Sequence, residues 1–233
     1  ASHILLDTQA NIEFFSTTFG IERGRFSCVY IGSDETLFSP QPEPESNQVI
    51  VIYHGSYLPL QGIDSVIHAT ALLNADKTIR FHMLGNGLEY ERIQKLVAEL
   101  KVENIDFLPA VPVEKLPAAI ARAEIALGGH FSSSSKASRV IAGKTFQDLA
   151  MGKATIVGDT SANHELLTHA FDAWFCPVEN PRALAESIQT LAQDASLRRA
   201  IGSNARQTFL KTASIPVLTG QLQAVAQKVI KGK

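Results

Sequence analysis

The chain has 233 residues, enough for one large domain or for one domain with part of a second. Its 45% hydrophobic and 19% charged residues are typical of a folded globular protein and exclude a largely disordered one. The formal net charge of −2 provides no overall attraction to nucleic acid or anionic membranes, so any anion-binding site has to be local.

The first predicted elements are a strand, a helix that ends at Gly20 and a second strand, at residues 4–6, 9–19 and 26–31. The chain begins with Ala1-Ser2-His3, without an initiator methionine, and enters the first apolar strand at once. We therefore expect it to be a piece of a longer protein.

A change in composition follows the second strand. Residues 38–47 contain three prolines and, after Phe38, no apolar residue. Prolines hold a segment extended and remove backbone donors, so this stretch is predicted to be a linker. We place a domain boundary at its end, which divides the chain into residues 1–47 and residues 48–233.

Beyond the linker, short apolar strands alternate with helical patterns. The predicted strands are residues 49–53, 79–84, 105–108, 125–127, 155–157 and 174–178. The predicted helices include residues 116–123, 146–151, 165–167 and 217–230, with another that begins at Asn180-Pro181. This alternation implies parallel β-α-β units, and we predict an α/β fold with a doubly wound, mostly parallel, Rossmann-like sheet.

Three loops at the carboxyl ends of predicted strands are built from small residues: Gly55-Ser56, Gly85-Asn86-Gly87 and Gly128-Gly129. Ligands of doubly wound sheets bind outside these ends, at the point where the strand order reverses. Glycine allows backbone N–H groups to approach a ligand, and a following helix N-terminus favours phosphate. One such loop is more often an ordinary turn, but three on one rim favour a nucleotide-like ligand.

Residues 127–154 combine the last of these loops with a serine run and three cations, Lys136, Arg139 and Lys144. Little acidic charge precedes Asp148. Cations and small residues at the carboxyl end of a strand are suited to an anionic ligand. The alternative interpretation is a solvated cationic loop without a ligand.

Other classes of site are poorly supported. The sequence has no G-x-x-x-x-G-K-[ST] phosphate loop and no G-x-S-x-G nucleophile motif, and Gly85-Asn86-Gly87 lacks the third glycine of a dinucleotide fingerprint.

Cys28 and Cys176 have no metal or C-x-x-C spacing and are predicted to be free thiols in a reducing compartment. The histidines are scattered and are expected to be structural, although His130 lies inside the cationic segment. No signal peptide or membrane-spanning run is present.

Several local patterns nevertheless match one family in the same order. They are YIGSDETLFSP at 30–40, YHGSYLPLQG at 53–62, LGNG at 84–87, IDFLP at 105–109, FQDLAMGKA at 146–154 and HELL at 164–167. Together they resemble the carboxyl-terminal domain of GT-B glycosyltransferases of the retaining "group one" family. The ordered set is far more specific than any single member, and it extends over almost the whole chain.

The resemblance implies the donor-binding half of a retaining enzyme that transfers sugar from a nucleotide diphosphate sugar in polysaccharide or glycoconjugate synthesis. Residues 1–47 would be the end of an amino-terminal Rossmann-like domain plus the hinge, and the last helix would cross back toward that domain. No metal or other cofactor is implied. The partners would be the nucleotide sugar, the missing amino-terminal domain and a lipid-linked or saccharide acceptor, but no nucleic acid. The location would be cytoplasmic, free or at the inner face of the membrane, and the fragment alone would transfer nothing.

The same resemblance suggests roles for individual residues. Arg139 and Lys136 are expected to act as catalytic cations. Gln147 is expected at the ribose. The base would lie against the backbone of Pro109, Ala110 and Val111. The remaining substrate contacts are expected at Gly55, Ser56, Gly85, Asn86, His130 and Lys144.

The sequence also departs from the family pattern. An arginine and a lysine common in the first loop are replaced by Ser56 and Gln61, and two glutamates eight positions apart are replaced by Arg139 and Gln147. Gln147 can still bond hydroxyl groups, without the charge assistance of a carboxylate. One hypothesis is that the cations of residues 127–154 replace the lost diphosphate clamp. The alternative is a degenerate domain kept as a non-catalytic binding or interaction module.

Overall fold

The computed structural model of the chain describes residues 3–42 and 47–231, so the middle of the predicted linker, residues 43–46, lies outside the described residues. A small parallel sheet comes first, formed by β1 (Ile4–Leu6) and β2 (Phe26–Cys28) and joined by α1 (Gln9–Phe19). The helix ends as predicted, because Gly20 adopts a left-handed conformation (φ 62°) and its N–H donates to the carbonyl of Ser16.

The remaining elements form one large α/β unit. Its strands are β3 (Val49–His54), β4 (Ile79–Leu84), β5 (Ile105–Leu108), β6 (Ile125–Leu127), β7 (Ala154–Gly158) and β8 (Trp174–Cys176). Its helices are α2 (Ile63–Leu72), α3 (Tyr90–Glu99), α4 (Leu116–Ala121), α5 (Ser135–Arg139), α6 (Gly143–Ala150), α7 (Ser161–His164), α8 (Pro181–Gln193), α9 (Ala195–Thr212) and α10 (Ile215–Lys231).

The six strands are all parallel and lie in the order β5-β4-β3-β6-β7-β8. The predicted doubly wound sheet is confirmed. From β3 the chain moves outward through β4 and β5, and from β6 it moves outward on the other side. The strand order therefore reverses between β3 and β6, where a ligand crevice is expected at the carboxyl ends.

Each face of the sheet carries its own hydrophobic core. In β3, Val51 and Tyr53 belong to the core that includes α2, α3 and α8, while Ile50 and Ile52 belong to the core on the side of α6 and α9. Both faces are covered, which explains why β3 reads as a continuous apolar run rather than an alternating one. Phe38, at the start of the predicted linker, is buried in the second core.

Most predicted elements differ from the observed ones by a few residues at their ends; the helix predicted at 146–151, for example, spans Gly143–Ala150. The helix predicted at residues 165–167 instead spans Ser161–His164, because the side chain of Thr160 accepts from the N–H of Asn163 and caps it. The strand predicted at 174–178 ends at Cys176, since Pro177 has no backbone donor. The strand predicted at 26–31 ends earlier, at Cys28.

The last helix, α10, runs back toward β1 and β2. Leu222 of this helix lines an open apolar depression with Leu6 and Tyr30, and it is 44% exposed. Ile230, near the end of the helix, is 72% exposed. In the described ranges no helix is both long and apolar enough to cross a membrane.

Candidate functional site

A cleft of about 520 Å³ opens at the rim where the strand order reverses. The loops after β3, β4 and β5 form one side, and the start of α6 forms the other. Of the predicted substrate-binding residues, all except Pro109 and His130 line this cleft: Gly55, Ser56, Gly85, Asn86, Ala110, Val111, Lys144 and Gln147. Ile31 and Gly32, from the segment after β2, also line it.

Backbone packing explains two of the loop glycines. A Cβ atom on Gly85 would lie 2.0 Å from the carbonyl oxygen of Gly55, and one on Gly87 would lie 2.6 Å from the backbone nitrogen of Tyr57. Both glycines also have positive φ angles, 135° and 157°. Their first role is therefore to let the loops after β3 and β4 pack against each other, which fixes the shape of the rim.

The start of α6 is exposed to the cleft and is uncapped. Ala142 stands at its N-cap position, and no side chain bonds the first turn from there. A side chain at Gly143, the first helical residue, would meet nothing within 4 Å. The first N–H groups of a helix have no partner within the helix, and the helix dipole gives this end partial positive charge. The arrangement suits an anion.

Lys144, in the same turn, adds a buried cation. Its side chain is only 7% exposed, and Nζ lies 3.7 Å from the centroid of the Tyr53 ring. In the described residues Nζ has no hydrogen-bond partner. Burial disfavours the charged form and lowers the pKa of Lys144 to about 7, against a smaller opposing effect of the Asp148 carboxylate.

His54 and Asp148 form a buried pair behind this edge. Nε2 of His54, the last residue of β3, lies 2.7 Å from Oδ1 of Asp148 on α6, and both side chains are almost completely buried. The other carboxylate oxygen, Oδ2, has no partner in the described part of the chain. The pair joins the central strand to the helix that carries Lys144, so it fixes how α6 sits on the rim.

His130 lies under the rim rather than in the cleft. It is 4% exposed, and burial lowers its pKa to about 4, with further lowering by the positive charges of Lys144 and Lys136. A hydrogen bond with the backbone of Val140 acts in the opposite direction. His130 is therefore neutral near pH 7 and is not among the residues that line the cleft.

The two predicted catalytic cations lie on α5, outside the cleft. Lys136 is exposed. Arg139 is turned toward α1: Nε donates to Oδ1 of Asn11 at 3.1 Å, Nη1 donates to the carbonyl oxygen of Ser135 at 2.8 Å, and the guanidinium lies 3.8 Å from the centroid of the Phe14 ring. Only Lys144, of the three cations, is brought to the cleft.

A second helix N-terminus, that of α1, lies next to Arg139, which donates to Asn11 in the first turn of that helix. The carboxylate of Glu165 accepts hydrogen bonds from the backbone N–H groups of Gln9 and Ala10, both at 2.6 Å. The side chain of Thr8 accepts from the N–H of Asn11 at 3.0 Å. Residues of the chain itself thus occupy this positive helix end.

A smaller apolar cavity of about 330 Å³ adjoins the cleft and shares Leu84 and Val111 with it. Pro109 and His82 line it, and Lys115 lies on the same wall. Desolvation lowers the pKa of His82, while the Asp106 carboxylate opposes this effect. A flat apolar group held near Val111 would fit between the two spaces.

Sequence reasoning missed the free end of α6, the His54–Asp148 pair and the Glu165 contact. The first had a readable signal, since Ile-Ala-Gly-Lys offers no Ser, Thr, Asp or Asn to cap the helix that follows. The other two join residues distant in sequence. Among the described residues, no three His, Cys, Asp or Glu side chains gather as a metal site.

Residues 34–208 match the family described as glycosyl transferases group 1. A curated relative, the MMP alpha-(1->4)-mannosyltransferase of Mycolicibacterium hassiacum, is 27% identical over 124 residues, which cover 53% of this chain and 30% of the relative. The chain spans between 30% and 44% of the length of the curated relatives it matches.

Solved structures show the same fold at low identity. Anabaena HepE, crystallised in complex with UDP, superposes with a TM-score of 0.85 at 18% identity, over 98% of this chain and 64% of that one. The carboxyl-terminal domain of LpcC, a glycosyl transferase group 1 family protein from Francisella tularensis, superposes with a TM-score of 0.65 at 15% identity. That match covers 79% of this chain and all of the LpcC domain, 100%.

Proposed function

The chain belongs to the group 1 glycosyltransferases, and from this premise we propose that it is the donor-binding half of such an enzyme. The observation that carries the proposal is the uncapped N-terminus of α6 with the buried Lys144 in its first turn, neither of which has a side-chain partner among residues 3–42 and 47–231. Both lie in the cleft at the reversal of strand order, where an anionic ligand of a doubly wound sheet is expected. The ligand class that fits is a nucleotide diphosphate sugar.

The parts of the donor can be assigned along the cleft. The diphosphate would lie at Gly143 and Lys144, against the first N–H groups of α6, and Nζ of Lys144 would turn toward it from the Tyr53 ring. Gln147 is one turn further along α6 and lines the same cleft, so its amide can bond the ribose hydroxyls. The base would lie against Ala110 and Val111, beside the apolar cavity. UDP is the first candidate, because HepE was crystallised with it.

The same groups would assist transfer. When the bond between the sugar and the diphosphate breaks, negative charge develops on the leaving phosphate oxygen. In the donor complex the start of α6 and the Lys144 ammonium would already face the diphosphate, so little reorganisation would accompany cleavage of the bond. The acceptor hydroxyl would supply the new bond to the sugar from the side of Ile31 and Gly32, and its binding groups would come from an amino-terminal domain.

The partial coverage of the relatives supports this division of labour. We propose that the chain as given binds donor without transferring sugar, that the whole enzyme retains the anomeric configuration, and that its products are polysaccharides or glycoconjugates. A cytoplasmic location and the domain boundary at residue 47 remain part of the proposal.

The test is a calorimetric titration of the folded chain with UDP, GDP and ADP in parallel. We expect saturable binding of one of them, with UDP tightest. Circular dichroism and a cooperative thermal transition would establish that the sample is folded. A folded chain that binds none of the three would contradict the donor-site proposal and leave the non-catalytic interaction module as the better interpretation.

A further inference from the structure

Lys144 is an unusual group to find without a partner. Its ammonium is buried, and within the described ranges it donates no hydrogen bond and forms no ion pair. The side chain runs beneath two glycine loops: a Cβ atom on Gly55 would lie 3.9 Å from its Cδ, and one on Gly129 would lie 3.3 Å from Nζ. Burying an unpaired charge is costly, so the position is poorly suited to a permanent cation.

The charged and titratable groups around Lys144 do not neutralise it. Asp148 lies one turn further along α6, but one of its carboxylate oxygens is bonded to His54 of β3 and the other has no partner in the described residues. Tyr53, also on β3, presents its ring face, and burial raises the pKa of its hydroxyl. His130 comes from the loop after β6, and burial keeps it neutral near pH 7, with a smaller contribution from the Lys144 charge.

The empty site therefore holds a lysine that is easily deprotonated. Burial lowers the pKa of Lys144 to about 7 from its ordinary value of 10.5. A diphosphate at the start of α6 would bring at least two negative charges to the same helical turn. An opposite charge within a few ångströms favours the protonated form, so the ligand would raise that pKa again.

Building on the proposed function, we propose that Lys144 loses its charge in the empty cleft at mildly alkaline pH and takes up a proton from solvent when a nucleotide diphosphate binds. The proton moves from water or buffer to Nζ, and no other bond changes. The cation that holds the phosphates is thus produced by the ligand itself. Deprotonation of the empty site also spares the fold an unpaired buried charge when no donor is present.

The direction of the pH dependence follows. Below about pH 7 the lysine of the empty site is already charged, so the binding of a fully ionised ligand is accompanied by little proton uptake. Above that pH, binding requires a proton that becomes scarcer, so affinity falls by up to about tenfold per pH unit until the ligand-bound lysine also deprotonates.

The direct test is calorimetry of UDP binding at pH 8.0 in Tris and in HEPES, whose heats of ionisation differ. At this pH the terminal phosphate of UDP has already lost its proton, because its pKa is about 6. We expect an uptake of about 0.9 proton per bound UDP, the fraction of empty sites that are neutral one pH unit above the pKa. UDP binding with no proton uptake would overturn the inference.

Three variants identify the group. Lys144→Arg keeps a permanent charge and should bind UDP without uptake, while Lys144→Met should bind more weakly and also without uptake. His130→Gln removes a histidine whose pKa is affected by the Lys144 charge and should leave the uptake unchanged. Persistence of the uptake in Lys144→Met, or its loss in His130→Gln, would contradict the assignment to Lys144.

A measurement without ligand separates this inference from the proposed function. The side-chain carbon next to Nζ of Lys144 can be followed by NMR in ¹³C-lysine-labelled chain and assigned by its absence from Lys144→Met. We expect a titration midpoint near 7, and a midpoint near 10 would overturn the inference even if UDP binds well. Failure of UDP, GDP and ADP to bind a folded chain would remove the proposed function and the coupling together, whatever the midpoint.

Discussion

The N-termini of α1 and α6 both carry the partial positive charge of a helix dipole, but they differ in what bonds their first N–H groups. At the start of α1, the carboxylate of Glu165 takes the N–H groups of Gln9 and Ala10, and the nearby guanidinium of Arg139 is bonded to neighbouring side chains. At the start of α6, no side chain of the described residues caps the helix, and none of them bonds the buried ammonium of Lys144. A carboxylate of the chain thus bonds the first N–H groups of α1, whereas the first N–H groups of α6 are left for an anionic ligand.

The difference distinguishes a structural contact from a binding site. Buried polar groups are normally hydrogen-bonded, and each exception requires an explanation. The hydrogen bonds of Glu165 and Arg139 at the start of α1 attach this helix to the large α/β unit. The unsatisfied groups around α6 lie in a cleft at the reversal of strand order.

The largest effect is expected from Gly143→Asp, which would supply the missing carboxylate to α6. A Cβ atom meets nothing within 4 Å at this position. Because the new charge would occupy the anion site, UDP affinity should fall by about 100-fold or more. Stability should be unchanged or raised, by about 0.3–1 kcal/mol from an acid at a helix N-terminus. Calorimetry and denaturant titration measure the two quantities.

Gly143→Asn is the matched control for that variant, because asparagine has the size of aspartate without its charge. It should retain most of the affinity. Equal losses in the two variants would mean that the effect is steric and would remove the electrostatic argument for α6.

Lys144→Met should lower UDP affinity by about 10- to 100-fold, since a charge-assisted contact contributes about 1.5–3 kcal/mol. The same substitution should raise the free energy of unfolding by about 1–4 kcal/mol, because an apolar side chain replaces a buried unpaired charge. Lys95→Met on the exposed side of α3 is the control and should change neither quantity. A destabilised Lys144→Met variant would contradict the description of Lys144 as an unsatisfied group.

The stability gain has a pH dependence with a definite sign. The pKa of Lys144 is lower in the folded chain, about 7, than its ordinary value of 10.5, so the unfolded chain binds more protons between these values. The stability of the unmutated chain therefore rises with pH through this window as the buried charge is lost. The advantage of Lys144→Met should be largest at pH 7 and below and should disappear by about pH 10. Urea titrations at three pH values would measure it.

Glu165→Ala removes the carboxylate that bonds the N–H groups at the start of α1. The loss of two backbone hydrogen bonds to a carboxylate should cost about 1–2 kcal/mol locally. Amide hydrogen exchange in α1 should then accelerate by about 5- to 30-fold, while UDP affinity changes by less than about twofold. Slow exchange in α1 of the variant would show that Glu165 does not hold this helix.

Arg139→Ala is expected to have the smallest effect on the nucleotide, because its guanidinium is bonded to Asn11 and Ser135. Its contact with the Phe14 ring contributes about 0.5–1 kcal/mol, so exchange in α1 should rise only a few-fold. A loss of UDP affinity as large as that of Lys144→Met would instead support the sequence-based assignment of Arg139 to the phosphates.

The fold was readable from the sequence because its signal is local. Continuous apolar strands such as β3 and helices with a clear cap, such as α8 after Asn180, follow from residue types within one or two turns. The loop residues of the cleft were also predictable, since small residues after parallel strands gather on one rim. Errors occurred at element ends, as at α7, where the cap at Thr160 mattered more than the apolar pair that follows.

The sequence did not show which of the three predicted cations would lie in the cleft. Lys136, Arg139 and Lys144 share one sign of charge and lie close together in sequence. What separates them is which side chains surround each one, and these come from distant parts of the chain, such as Asn11 for Arg139 and Tyr53 for Lys144. The His54–Asp148 pair was equally hidden, because its partners are far apart in sequence.

The most direct test of the central claim is a crystal structure of the chain with UDP bound. We expect the diphosphate at the start of α6, with phosphate oxygens about 3 Å from the backbone nitrogens of Gly143 and Lys144 and with Nζ turned from the Tyr53 ring toward them. Diphosphate bound at Lys136 and Arg139, with the start of α6 left free, would contradict it.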